Sequence, residues 1–296
     1  MDAHAHVFRP VAASPRGCDD LAPAERDAPV EELLVAMAGA GAAHAVLVPL
    51  DGADDYVAEV VTERPATFAG IAVATAPEQG RTPTDPVRAL IERRARYPFV
   101  ALRSGWLGDP GSGAAASPML PVLRDLAEGG IALWSYLPPD QLPLLHEAVR
   151  LVPELRVVLN HLGFIPHGMW IDRHRRPRFI DALAPPLVDD LLRLADAPAV
   201  HLMVSAQYAL SADDPPYPDL FAPTRRLAAA FGPDRLLWGS DFPWPAVVPG
   251  YRTLPDLVAA ALPDLTPTQL TDVLGGNALR LFAGHFAAHP PRKKEH

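Results

Sequence analysis

Eight short runs of apolar and β-branched residues recur along the chain, and helical patterns separate them. They read as strands over residues 2–8, 44–50, 68–74, 99–104, 131–137, 155–162, 199–206 and 236–241. Runs that are apolar on both faces belong to a sheet covered on both faces, as parallel β/α sheets are. The helices carry their own start and stop signals. Pro29 opens one that Gly39 and Gly41 close, and Asp85-Pro86 opens another that ends near Tyr97. Further helices are expected over 56–62, 118–127, from Pro138-Pro139 to before Pro153, and over 187–194, 224–231 and 254–283. Eight β/α units predict an α/β fold, a single-domain (β/α)8 TIM barrel over residues 1–284, with a disordered tail over 285–296. An open doubly wound sheet would bring a glycine-rich phosphate loop after the first strand, but here His6 is followed by Val-Phe-Arg-Pro.

Composition narrows the partners. With 26 basic against 35 acidic residues the net charge is −9, and the only lysines are Lys293 and Lys294, so no basic stripe invites nucleic acid. Cys18 is the single cysteine, which excludes an internal disulfide and a thiolate zinc site. No apolar run approaches the length of a membrane span, and the chain opens on a polar strand instead of a signal peptide. The expectation is a cytoplasmic protein that acts on a small molecule, with homo-oligomer formation left open.

In a parallel barrel the polar groups that matter sit at the C-terminal ends of the strands. The first strand ends in Asp2-Ala-His4-Ala-His6. Alternation places Asp2, His4 and His6 on one face and Ala3, Ala5 and Val7 on the other. Two imidazoles so spaced can grip a metal or polarise a substrate oxygen. Arg103 ends the fourth strand, Tyr136 the fifth, and His161 the sixth within Asn160-His161-Leu162-Gly163. Asp241 ends the eighth within Trp238-Gly-Ser-Asp-Phe-Pro-Trp244. An ionisable residue at the end of a buried strand is paired or functional. Strands one and eight are neighbours in a closed barrel, so His4, His6, His161 and Asp241 should converge.

These three motifs, in this order, resemble the amidohydrolase superfamily in its amidohydrolase-related branch. Within it the chain is most similar to the group of 2-pyrone-4,6-dicarboxylate and sugar-acid lactonases. The resemblance runs from Asp2 to about Phe282. It implies that Asp241 acts as general base toward a hydrolytic water. It implies that His4, His6 and His161 bind a divalent metal or polarise the carbonyl directly; members of the lactonase group can work without a metal, and related decarboxylases and hydrolases use one zinc. The carboxylated lysine of two-metal relatives has no counterpart, because no lysine precedes Lys293. The fifth strand, IALWSYL, lacks the histidine that metal-binding relatives carry there. A mononuclear site built from His4, His6, His161 and Asp241, zinc being the leading candidate, and a metal-free hydrogen-bonded cluster both remain open.

Arg103 and Tyr136 match positions that hold substrate carboxylate in the dicarboxylate lactonase, and an arginine fork suits that group. The further arginines of that enzyme are replaced by Ser104-Gly-Trp-Leu-Gly108 and Ala206-Gln-Tyr-Ala-Leu210. Trp106, Trp170, Tyr208, Phe242 and Trp244 give the expected mouth a more apolar cast, with Trp106 and Tyr208 as candidate substrate contacts. A monocarboxylate or neutral cyclic ester fits that mouth better than a doubly carboxylated pyrone. His44, His146 and His201 read as structural. The basic connection over 163–186, with His167 and His174, reads as a solvated loop or a lid. The leading expectation is a lactone hydrolase. The alternatives are a zinc-dependent decarboxylase or amide hydrolase of the same superfamily and a catalytically inactive barrel that binds ligands.

Overall fold

The computed structural model describes residues 1–164 and 168–289; His167 and the last seven residues of the expected tail lie outside them. Eight parallel strands form one sheet: β1 (Asp2–Ala5), β2 (Ala45–Leu47), β3 (Phe68–Val73), β4 (Ala101–Ser104), β5 (Ala132–Ser135), β6 (Val157–Leu159), β9 (Val200–Val204) and β10 (Leu236–Trp238). Between β6 and β9 the chain adds a two-stranded antiparallel hairpin, β7 (Trp170–Ile171) and β8 (Pro177–Arg178). The sheet closes on itself where Asp241 donates its backbone N–H to His4 (2.8 Å) and His6 donates to Phe242 (2.7 Å). The expected (β/α)8 barrel is therefore the observed one.

The lumen is filled by side chains from alternate positions, among them Ala3, Val46, Ile71, Trp134, Val158 and Met203. Phe282 and Leu281 plug its N-terminal end. A second, larger apolar layer lies between strands and helices. The helices obey local rules. Asp85 caps Arg88 with Pro86 in the first turn, and Thr266 and Gln269 form a reciprocal capping box. Gly41 ends the helix Val30–Ala40 in the left-handed conformation, φ 71°.

The C-terminal junction ties the barrel bottom together. Asn277 donates to the carbonyls of Pro233 and Leu236 (2.8 and 2.7 Å). A Cβ at Gly275 would stand 2.2 Å from the Met1 nitrogen, so only glycine admits the chain terminus there. Of the tail expected to be disordered, residues 285–289 are described and are ordered. A helix covers Ala283–Ala288, and His285 contacts the carbonyls of Pro65 and Phe68 (3.1 and 2.9 Å), which order it against the end of β3.

No helix of the described residues is long and apolar enough to cross a membrane.

Candidate active site

The simple alternation expected for β1 is broken by a bulge. Asp2 pairs with Ala45 and Ala5 with Leu47, so three steps on β1 face two on β2. The extra residue turns Asp2 away from the histidines. Its carboxylate accepts from Tyr251 Oη (2.8 Å), from the Ser240 backbone (2.8 Å) and from the His4 backbone (3.1 Å). Ala3 packs in the lumen, and His4 faces inward beside it against Trp134. Asp2 thus fixes the backbone of β1 and of the segment leading into Asp241, not an imidazole. Gly239 permits the same close approach: a Cβ there would lie 2.6 Å from His4 Cβ.

The four expected groups do meet. Asp241 Oδ1 lies 3.4 Å from His6 Nε2, 3.5 Å from His4 Nε2 and 4.0 Å from His161 Nε2. All four residues are buried. Each ring is held from behind: His6 Nδ1 by the Val48 carbonyl (2.7 Å), His161 Nδ1 by Ser205 Oγ (2.8 Å) and His4 Nδ1 by the Trp134 indole N–H (3.3 Å). Tyr208 donates to Asp241 Oδ2 at 2.5 Å, which leaves Oδ1 as the oxygen turned to the imidazoles. His161 and Asp241 sit in the left-handed region, at φ 49° and 60°. Non-glycine residues there cost of order 1 kcal/mol each and cluster at functional sites.

Electrostatics assigns the protons. Burial pushes Asp241 up, but its surroundings, among them His161 and the Tyr208 hydroxyl, hold the carboxyl below its ordinary value. Burial drives His161 down to about 4, against the pull of Asp241, and drives His4 well below its usual range. Near neutral pH a carboxylate therefore faces a neutral His161 and a neutral His4.

A cavity of about 400 Å³ reaches this cluster, lined by His6, His161 and Asp241 on its floor and by Arg103 and Tyr136 on its side. His4 lies behind that floor. The Arg103 guanidinium stacks 4.1 Å over the Tyr136 ring. Among the described residues it has no ion pair and no hydrogen bond, and burial lowers its pKa. One wall is the segment 17–22, and Arg16 organises it: its five N–H groups donate to the carbonyls of Arg9, Gly17, Ala22, Pro23 and Arg26. The opposite wall comes from the basic connection, through Met169, Pro177 and Phe179. Arg26 joins the two walls by donating to the Leu21 and Arg175 carbonyls.

Several expected contacts fall elsewhere. Tyr208 is behind Asp241, not on the cavity wall, because the chain turns at Ala206 (φ 52°) and carries Tyr208 inward. Trp106 lies off the cavity, with Arg81 above its ring at 5.8 Å. Trp170 is half exposed on the hairpin, and Phe242 packs against Tyr251. Of the five aromatics only Trp244 lines the cavity; Phe164, Phe179, Leu50 and Leu210 add to its apolar surface. His44, His201 and His285 satisfy themselves on backbone carbonyls, whereas His146 Nε2 is buried without a partner among the described residues. Sequence reasoning missed Ser205 and Trp134. Ser205 is polar at a strand end, the signal that picked out the others. Trp134 carries no such signal, since a strand tryptophan reads as core.

His4, His161 and Asp241 offer ligand atoms within 4.8 Å of one another. Neighbouring donors around a tetrahedral ion with bonds of about 2.0–2.1 Å stand roughly 3.4 Å apart, so the spacing suits one divalent ion. The donor chemistry does not suit it at His4. The Trp134 indole only donates, so the neutral His4 ring carries its proton on Nε2, the atom an ion would require.

A closed parallel barrel with imidazoles from its first and sixth strands around a carboxylate after its last is the architecture of a histidine–carboxylate β/α-barrel protein. The amidohydrolase sequence family matches residues 1–284, and the chain belongs to that family. Among solved structures it is similar to an amidohydrolase from Burkholderia multivorans with bound zinc, at 20% identity over 95% of this chain and 98% of that one, TM-score 0.72. A protein provisionally assigned as 2-pyrone-4,6-dicarboxylic acid hydrolase from Pseudomonas putida gives 23%, 95% and 96%, TM-score 0.69. The 5-carboxyvanillate decarboxylase from Sphingomonas paucimobilis gives 15%, 95% and 98%, TM-score 0.62. No curated protein sequence matches the chain.

Proposed function

We propose that the protein is a hydrolase that opens a lactone or similar cyclic ester carrying one carboxylate. The observation behind this reading is the placement of Asp241, whose neighbours hold its carboxyl below the ordinary value. Its Oδ1 sits among imidazoles on the floor of a cavity whose side holds Arg103, which has no ion pair among the described residues. Asp241 takes a proton from water as the water attacks the ring carbonyl. Tyr208 holds Oδ2 and so directs the reaction to Oδ1. His161, whose Nε2 faces the cavity, orients the water and stabilises the oxyanion, with His6 and His4 packed beside it. The ring C–O bond breaks, and protonated Asp241 returns its proton to the leaving oxygen. Arg103 holds the substrate carboxylate, and its position over Tyr136 fixes the direction of the fork.

A second reading, decarboxylation, is favoured by the same Arg103 and by the barrel shared with the Sphingomonas enzyme. One panel separates the two. Lactones with and without a carboxylate are followed by proton release, and hydroxylated aromatic acids by carbon dioxide release, with and without chelator. The hydrolase reading expects ring opening that survives chelation and falls about 100- to 10,000-fold in Asp241→Asn with the circular dichroism unchanged. Carbon dioxide release without ring opening replaces it with the decarboxylase, and inertness toward both points to a ligand-binding barrel.

A further inference from the structure

We propose that Trp134 sets the proton pattern of the first-strand histidines and thereby keeps His4 from serving as a metal ligand. The argument starts from two groups whose roles are fixed by chemistry. An indole N–H donates and never accepts, and a backbone carbonyl accepts and never donates. Trp134 Nε1 lies 3.3 Å from His4 Nδ1, so that nitrogen holds the lone pair and the His4 proton is on Nε2. The Val48 carbonyl lies 2.7 Å from His6 Nδ1, so His6 carries its proton there and its Nε2 is bare. The 3.1 Å contact between His4 Nε2 and His6 Nε2 then has one consistent direction. A single chain of hydrogen bonds runs from Trp134 through His4 and His6 to Val48. Both rings are neutral and all four ring nitrogens are engaged.

An ion on His4 Nε2 needs the proton moved to Nδ1, where it faces the indole N–H and leaves two buried donors opposed. The indole has little room to yield. Trp134 is fully buried in the lumen and backed by Phe282, 6.2 Å between ring centroids. His6 has the other constraint: its bare Nε2 is already taken by His4. Only His161 and Asp241 stand outside the chain, and two protein ligands make a weak site. Trp134 is thus a positioning residue that acts through His4.

The inference rests on reading His4, His6, His161 and Asp241 as one reaction centre, but its test does not depend on turnover. The metal-free full-length protein is examined by long-range 15N–1H NMR of its imidazoles, then titrated with zinc chloride. The expected spectrum shows His4 as the Nε2–H tautomer and His6 as the Nδ1–H tautomer, with His4 unchanged at one equivalent of zinc. In Trp134→Phe, which keeps an aromatic ring and removes the donor, metal-free His4 keeps the Nε2–H tautomer that His6 still requires, but the Nδ1–H tautomer no longer faces an opposing donor, so zinc metallates His4 and binds at least about tenfold more tightly. A wild-type His4 found as the Nδ1–H tautomer, or metallated at Nε2 by one equivalent of zinc, overturns the proposal. The wild-type spectrum decides alone if the variant does not fold. The expected spectrum together with a failed lactone panel would sink the hydrolase reading and leave this one standing.

Discussion

At the scale of single residues the site is a set of groups each held by a partner that chemistry can name. Asp241 has Tyr208, His161 has Ser205, His6 has Val48 and His4 has Trp134. Arg103 is the exception, and the exception is informative. A guanidinium deep in a cavity, within the field of Asp241 but with no ion pair or hydrogen bond among the described residues, is costly unless a ligand supplies one. Charge-assisted hydrogen bonds contribute about 1.5–3 kcal/mol each. Replacing Arg103 by Met should therefore raise KM for a carboxylated lactone by roughly 10- to 100-fold. The preference for carboxylated over neutral lactones should shrink by the same factor. Steady-state kinetics on a matched pair of substrates checks this; an unchanged preference would assign Arg103 to packing on Tyr136.

Elements show what a linear pattern can and cannot reveal. The strands were legible because both their faces are buried, and apolar runs such as Val157–Leu159 leave no doubt about the state. The convergence of His6, His161 and Asp241 was legible because a closed barrel makes its first and last strands neighbours. The β1 bulge was not, since period-two alternation carries no mark of an inserted residue, and so the direction of Asp2 was misread. The placement of Tyr208 depends on the left-handed Ala206, and nothing in the sequence marks an alanine for that conformation. The loop over residues 9–28, rich in Pro, Ala and Asp, carries no periodic pattern, yet it is a built element. Arg16 spends all five donors on its carbonyls, and Asp51 accepts from Gly17 to fasten it beside β2. Net hydrogen bonds contribute about 1 kcal/mol each, so Arg16→Ala should speed amide exchange in this loop by about tenfold or more. Exchange in the barrel strands should hold steady, because they share few bonds with the loop. Hydrogen-exchange mass spectrometry of the two regions reads the difference. Equal acceleration in both would make Arg16 a determinant of global stability instead of a builder of one cavity wall.

For the whole molecule the decisive quantity is how many protons the fold refuses. His4, His44, His146, His161, His201 and His285 are all held below the ordinary histidine value, in each case first by burial. The unfolded chain titrates these rings near 6.5, so between that pH and the lower folded values it binds more protons than the native barrel does. Stability must then fall as pH falls through that window. His161, at about 4 when folded, contributes a loss on the order of 3 kcal/mol by pH 4. Asp241, also lowered, adds a further loss once pH drops below the usual carboxylate range. Asp2 runs the other way. Burial raises its pKa, so the native state gains a proton there before the unfolded chain does and offsets part of the decline. Six depressed imidazoles against one raised carboxylate leave the sign clear. Calorimetry at constant ionic strength should show Tm highest near neutrality and dropping steadily from pH 6.5 to pH 4, with most of the loss attached to the buried rings. His285 offers the control, being half-buried at the far end of the barrel: His285→Gln should remove a small share of the slope, and His161→Gln a large one. A flat profile over this window would mean that the native protein takes up protons as readily as the unfolded chain, so that burial does not hold these imidazoles neutral.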